Sequence, residues 1–380
     1  MMHSLCGQRP ALLSLAAVTI TLLAVALAPT VLAQGPSHGS PRNGSEIYRT
    51  SCASCHGVDG RGAPQTTVGF QLPLPDFTEC TFATREPRGD WGAIVHDGGP
   101  ARAFDRLMPA FGDALAWEEI ERVVDRVKDF CGDLAWPQGE LNLPRALATE
   151  KAYPEDEVVL TSSVAAEGSG AVANKVIWEK RFGARNQVEV IVPFSAHVGK
   201  AGGWSGGIGD IGVGAKRVLY HSYAQGTIFS VAGEVVLPTG NEDRGVGKGF
   251  AIFEPFAAFG QVLPRDGFFQ FQGGMEIPVD SVKGAKEAFW RMAIGRSFTQ
   301  NRFGRTWSPM VEFVGARELV DGEPALWDVL PQMQVTLSTR QHIMASVGVR
   351  LPLNDRGPRP MQIVMYLLWD WFDGPFLGGW

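Results

Sequence analysis

Cys52, Cys55 and His56 stand together in Cys52-Ala53-Ser54-Cys55-His56, a run of the form C-x-x-C-H. Two thiols one helical turn apart can add to the two vinyl groups of a single haem, so the run reads as a c-type haem attachment site. The imidazole that follows directly then lies under the iron and can ligate it. The sixth iron position needs a ligand from further along the chain, and a thioether there raises the reduction potential. Met108, in Leu107-Met108-Pro109-Ala110-Phe111-Gly112, is the only methionine between the motif and the end of the next strong helical pattern. The reading is one covalently attached haem c, bound by Cys52 and Cys55, with His56 as proximal and Met108 as distal iron ligand.

Other chemistries use the same residue types. Cys52 and Cys55 could form a thioredoxin-like redox pair, but no βαβ pattern surrounds them and a histidine follows at once. They could be half of a zinc site, but no second ligand pair follows at zinc spacing. Met108 could simply fill a core gap, as most methionines do. His96 is the rival distal ligand, against its alternative as a packed side chain.

The elements that must position these residues are helical. Residues 44–55 read as a helix with Ile47 and Tyr48 on its core face and the haem motif at its end. The glycines of 57–62 mark a loop, and Pro73 and Pro75 exclude regular helix from 72–77. A short helix is expected around 91–95. The clearest helix is 117–130, where Trp117, Ile120, Val123, Val124, Val127 and Phe130 recur at spacings of three and four, with charges on the other face. With these parts in view, residues 42–132 resemble a class I cytochrome c. That resemblance implies a small all-α domain, placed at 43–133, that carries one electron at a time.

Upstream, residues 1–33 read as an export signal. Arg9 supplies a weak basic region, 11–32 is almost wholly apolar, and Val31-Leu32-Ala33 fits a small-residue cleavage site. An uncleaved anchor is the alternative. Residues 34–42 are Gly/Pro/Ser-rich and read as a tether. Export places Cys80 and Cys131 in an oxidising compartment, where two leftover cysteines are expected to pair, the alternative being two separate buried thiols. A net charge of −6 gives no reason to expect nucleic acid, and Asn43-Gly44-Ser45 matches a glycosylation acceptor in form only.

Residues 134–155 hold Pro137, Pro144 and Pro154 with little periodicity and read as an irregular linker. From 156 to 380 the pattern changes to alternating strands between Gly-rich turns. Val188, Val190, Val192 and Phe194 oppose Gln187, Glu189 and Ser195; Phe269, Phe271, Met275 and Ile277 oppose Gln270, Gln272 and Glu276; Met333, Val335 and Leu337 oppose Gln332, Gln334 and Thr336. Short turns (183–186, 264–267, 299–302, 338–341) fall between longer loops, aromatics such as Trp178, Trp204, Trp290, Trp327, Trp369 and Trp371 fall near strand ends, and the sequence ends on Trp380. Together these point to an antiparallel outer-membrane β-barrel of about 12 strands. A soluble β-domain is the alternative. His221 and His342 are expected at solvated turns. Gly207-x-Gly209-x-x-Gly212 has the form of a nucleotide loop, but no helix opens after it.

The run 209–216 followed by Glu234-Val235-Val236-Leu237-Pro238-Thr239-Gly240-Asn241 resembles the outer-membrane barrels associated with phenol-degradation pathways, sometimes described as transporters. The resemblance implies a location more than an activity. The expected fold is therefore multidomain, all-α then all-β. The expected function is one-electron transfer at the periplasmic face of a bacterial outer membrane, with outer-membrane lipid around the barrel and a periplasmic redox protein as partner. The alternative is a channel for a small organic solute, with the cytochrome as accessory or sensor. No residues suited to acid–base or nucleophilic catalysis stand at recognisable spacing, so an electron carrier rather than an enzyme is expected.

Overall fold

The computed structural model describes residues 42–166, 170–198, 202–357 and 359–371. The expected export signal, nearly all of the tether and the terminal Trp380 lie outside them. The helical region opens with α1 (Gly44–Ile47), which passes through a π-helical turn (Tyr48–Cys52) into α2 (Ala53–His56). Asn43 caps it: its side chain accepts from the amide of Glu46 at 2.8 Å, satisfying one orphan donor of the first turn. Short helices α3 (Gln65–Val68) and α4 (Cys80–Ala83) follow, then α5 (Arg88–Asp97) and α6 (Trp117–Lys128).

The expected apolar stripe of α6 is what holds this region together. Ile120, Val123, Val124 and Val127 pack with Ile47, Tyr48, Phe77 and Leu115 in one core. Gly44 lets α1 cross α6 at backbone contact, since a Cβ there would lie 2.0 Å from the carbonyl oxygen of Arg122. Cys80 and Cys131 are disulfide-bonded with their Cα atoms 5.1 Å apart, tying α4 to the segment after α6.

Twelve long strands follow: β1 (Glu157–Ala165), β2 (Ala171–Phe182), β3 (Asn186–Val198), β4 (Trp204–Ile208 and Ile211–Ser222), β5 (Thr227–Leu237), β6 (Ile252–Leu263), β7 (Gly267–Pro278), β8 (Glu287–Arg296), β9 (Thr306–Glu318), β10 (Leu326–Thr336), β11 (Ile343–Pro352) and β12 (Gln362–Asp370). Each pairs antiparallel with its sequence neighbour, and β12 pairs with β1 from Gln362↔Ala165 to Asp370↔Glu157. The ring is closed, so it has no open edge. Gly209, singled out within the nucleotide-loop pattern, lies at the break inside β4.

The ring is inverted relative to a soluble sheet. Leu160, Val213, Val231, Phe271, Val347 and Leu367 are exposed on its outside, while Glu179, Gln187, Gln270, Ser308, Glu312 and Gln334 are buried inside. Closed hydrogen bonding with an apolar exterior is the arrangement that hydrocarbon demands. Among the described residues no helix is long and apolar enough to cross a membrane. Two expectations need correction. Trp371 is buried, its amide donating to the Asp156 carbonyl, so it does not stand in an aromatic girdle. His342 is also buried rather than solvated, because it is pressed between the barrel rim and the helical region.

The expected linker is irregular, with only a 3-10 turn at Gly139–Leu141, but it is not peripheral. It runs inside the ring. Leu141, Ala152 and Tyr153 pack with Val218, Ile228 and Ala258; Leu143 and Ala146 pack with Phe268, Ala293 and Met310; Leu147 packs with Val159, Leu330 and Leu368. Its backbone is satisfied by lumen side chains. Glu312 accepts from the amides of Ala148 (3.0 Å) and Thr149 (2.6 Å), Gln332 from Leu147 (3.1 Å), and Gln187 from Glu155 (2.7 Å). Gln270 donates to the Pro144 carbonyl at 2.8 Å. Arg145 is paired with Glu157, with Glu179 at 3.0 Å and with Glu150 at 3.4 Å.

Two outcomes follow from this packing. Arg145→Ala leaves the buried Glu179 without its ion-pair partner and takes one of two cations from Glu150 and from Glu157, which keep Lys216 and Lys151. Breaking such a network costs about 3–5 kcal/mol, so the connector loosens: bilayer recordings should show little steady conductance for the native protein and a clear rise for the variant. Replacing both Cys80 and Cys131 by Ser should destabilise the helical region by about 2–4 kcal/mol, read as an earlier loss of helical circular dichroism in urea with the barrel signal unchanged.

Candidate functional site

The motif residues sit where a helix ends against a cavity. The π-helical turn brings Cys52 to the start of α2, and Gly57 (φ 74°) ends α2 immediately after His56. Tyr48 fixes this end: its hydroxyl donates to the Gly57 carbonyl at 2.7 Å and to that of His56 at 3.3 Å. Burial raises the phenol of Tyr48 to about 12, so it stays a donor.

Cys52, Cys55 and His56 line a cavity of about 820 Å³, within the range of cofactor pockets, roughly 300–1,000 Å³. Met108 lines the same cavity. Its loop is held by the amide of Gly99, which donates to the Met108 carbonyl at 2.9 Å. Gly98, at φ 82°, makes the approach possible, because a Cβ there would lie 3.0 Å from that carbonyl oxygen. Phe77, Phe82, Trp91, Ile94 and Leu74 supply apolar wall, and Phe77 stacks on the His56 ring at 4.9 Å.

The donor set fits a covalently held haem. Cys52 and Cys55 are free thiols, not a disulfide. Burial, then its neighbour Cys55, pushes the Cys52 thiol up to about 11, opposite in direction to the attacking thiol of a redox pair. Burial also lowers the His56 pKa, which favours the neutral imidazole that metals bind. His56 Nδ1 is buried with no partner among the described residues.

His96, the rival ligand, does not line this cavity. Its Nε2 lies 3.0 Å from Arg302 Nη1 and its ring 5.3 Å from that of Phe303, both in the turn between β8 and β9. It is a docking residue. The same turn and the other short turns contribute further contacts. Arg102 donates to the Phe303 carbonyl (2.9 Å), Arg88 lies 4.3 Å over the Tyr223 ring, and His342 Nε2 lies 2.8 Å from Glu86 Oε1. His221 is half-buried, 3.2 Å from the Ala135 carbonyl. Arg340 and His342, from the barrel, line the cavity itself. Local sequence spacing carries no signal for them, because only docking of the helical region on the rim brings that turn to the cavity.

Residues 39–125 match the family model described as cytochrome C oxidase, cbb3-type, subunit III. No curated protein matches the chain. Among solved structures, an outer-membrane channel from Pseudomonas putida F1 is similar at 12% identity and a TM-score of 0.42, covering 60% of this chain and 100% of its own. The NanC porin is similar at 8% identity and a TM-score of 0.40, covering 56% of this chain and 99% of its own. The chain is a helical cytochrome c domain followed by a closed antiparallel barrel of twelve strands.

Proposed function

We propose that this protein is a monohaem c-type cytochrome anchored in the outer membrane, transferring single electrons at the periplasmic face. The observation that carries the reading is that Cys52, Cys55, His56 and Met108 all line one cavity in a domain docked on the rim of an inverted barrel. Haem c, when bound there, supplies a one-electron iron couple. Cys52 and Cys55 would hold it covalently, His56 and Met108 would ligate its iron, and the aromatic wall would keep water from it. Two protein ligands to the iron would favour a carrier over an enzyme.

The docked rim is the short-turn end of the barrel, and short turns face the periplasm in barrels of this kind. A periplasmic redox protein is then the partner. The apolar exterior supports contact with outer-membrane lipid. The second reading, a channel for a small organic solute with an accessory cytochrome, has less support, because the connector fills the middle of the lumen.

Fractionation with haem-stained gels tests this directly. A haem-positive band in the outer membrane whose mobility changes on boiling is the expected result. A haem-positive band in the soluble periplasm, unmoved by heat, would remove the anchor. Met108→Ala should keep the stain, abolish the long-wavelength charge-transfer band of a Met-ligated ferric haem and lower the potential. Persistence of that band would overturn Met108 as ligand.

A further inference from the structure

The cavity wall is uneven in charge. Besides His56, its basic side chains are Arg102, Arg340 and His342. All three lie at the end where the cytochrome domain meets the barrel. Arg102, buried in the 3-10 turn Gly99–Arg102, pairs with Asp90 at 2.7 Å. Arg340, in the turn between β10 and β11, lies 4.3 Å over the Phe104 ring and donates to the Ala103 carbonyl at 3.4 Å. His342 is bonded to Glu86 and lies 3.4 Å from Asp370. The rest of the wall is apolar, neutral polar or acidic, with Asp76, Glu79 and Asp105 contributing carboxylates.

A haem carries two propionate carboxylates. Ionised carboxylates taken from water need a cation or several donors, and the acidic parts of the wall would repel them. Glu86 and Asp90 stand at the basic end too, so the balance there matters. Burial beside Glu86 raises the carboxyl of Asp90 above the ordinary range. Asp90 accepts from Arg102 and Glu86 is bonded to His342, so both carboxylates are already engaged by the basic side chains of this end.

We propose that the haem site is shared between the two domains, its propionates turned toward the barrel and held by Arg102 and Arg340, so that a barrel turn sets part of the redox potential. The proposal rests on the reading that this cavity holds haem c. A nearby cation favours the reduced, less positive centre. Removing one therefore lowers the potential, and also raises the pH at which propionate ionisation bends the potential curve.

The test uses the full chain in detergent, with potentials followed optically across pH for the native protein and for Arg102→Gln, Arg340→Gln, Arg340→Lys and Arg302→Gln. Arg302 sits in a neighbouring turn and contacts His96 but does not line the cavity, so its variant controls for loosened docking. The expected result is unchanged haem stain throughout, lower potentials and a shifted pH bend in Arg102→Gln and Arg340→Gln, recovery in Arg340→Lys, and native behaviour in Arg302→Gln. Native potential in Arg340→Gln, or the same drop in Arg302→Gln, would overturn the shared site. Absence of haem stain from the native protein would instead overturn the underlying reading.

Discussion

A twelve-strand ring is wider than its own side chains can fill. Eight strands close on a packed interior, and sixteen enclose an aqueous channel. This chain meets the intermediate case with its own connector, which threads the lumen and touches every strand. Even β6 and β11, which give it no hydrogen bond, leave room through glycine: Leu143 packs against Gly260 and Leu147 against Gly348. The composition of the inner face follows. An irregular backbone in a closed space has amides and carbonyls that secondary structure does not satisfy. The glutamines and glutamates at 187, 270, 272, 312 and 332 are their partners.

The ions in this packing define position more than they add stability. Each buried charge loses several kcal/mol of hydration, which pairing roughly returns. What pairing does fix is register. Arg145 must reach Glu150, Glu157 and Glu179, and Lys151 must reach Glu155 and Glu157. A slip of one residue would strand several of these groups at once. The connector is thereby pinned along its length, and the helical domain that precedes it is held on the rim by Arg85–Asp156 and Glu86–His342. The cytochrome c domain is a fixture of the barrel, not a head on a flexible stalk.

This explains which parts of the molecule were legible in sequence. The Cys52-x-x-Cys55-His56 run is local, so it can be read from spacing within five residues. Strands were legible because lipid outside and polar partners inside impose a period of two. The same inversion hid the connector. Leu141, Leu143 and Leu147 show no strand or helix period because their neighbours come from strands all round the ring. His342 looked like an ordinary turn residue, since only docking of Glu86 against it makes the site dry. Trp371 looked like a girdle residue because it is aromatic and near a strand end. It is buried all the same, with its backbone N–H donating to the Asp156 carbonyl, which no periodicity predicts. The second wall of the cavity was illegible for the same reason: Arg340 and Met108 line one cavity only once the helical region is docked on the rim.

Docking and filling together constrain the direction of any electron path. On the proposed reading, one iron would serve one side of a hydrocarbon layer about 30 Å thick. The connector carries no second C-x-x-C-H run, and its side chains pack against the strands around it. On that reading electrons would enter and leave at the same end of the molecule, toward a partner at the rim. The barrel's part in this is twofold. Its rim carries the helical domain, and its short turns, through Arg340 and His342, form part of the cavity wall. A barrel that supplies part of that wall cannot be exchanged for another anchor without changing the cavity itself.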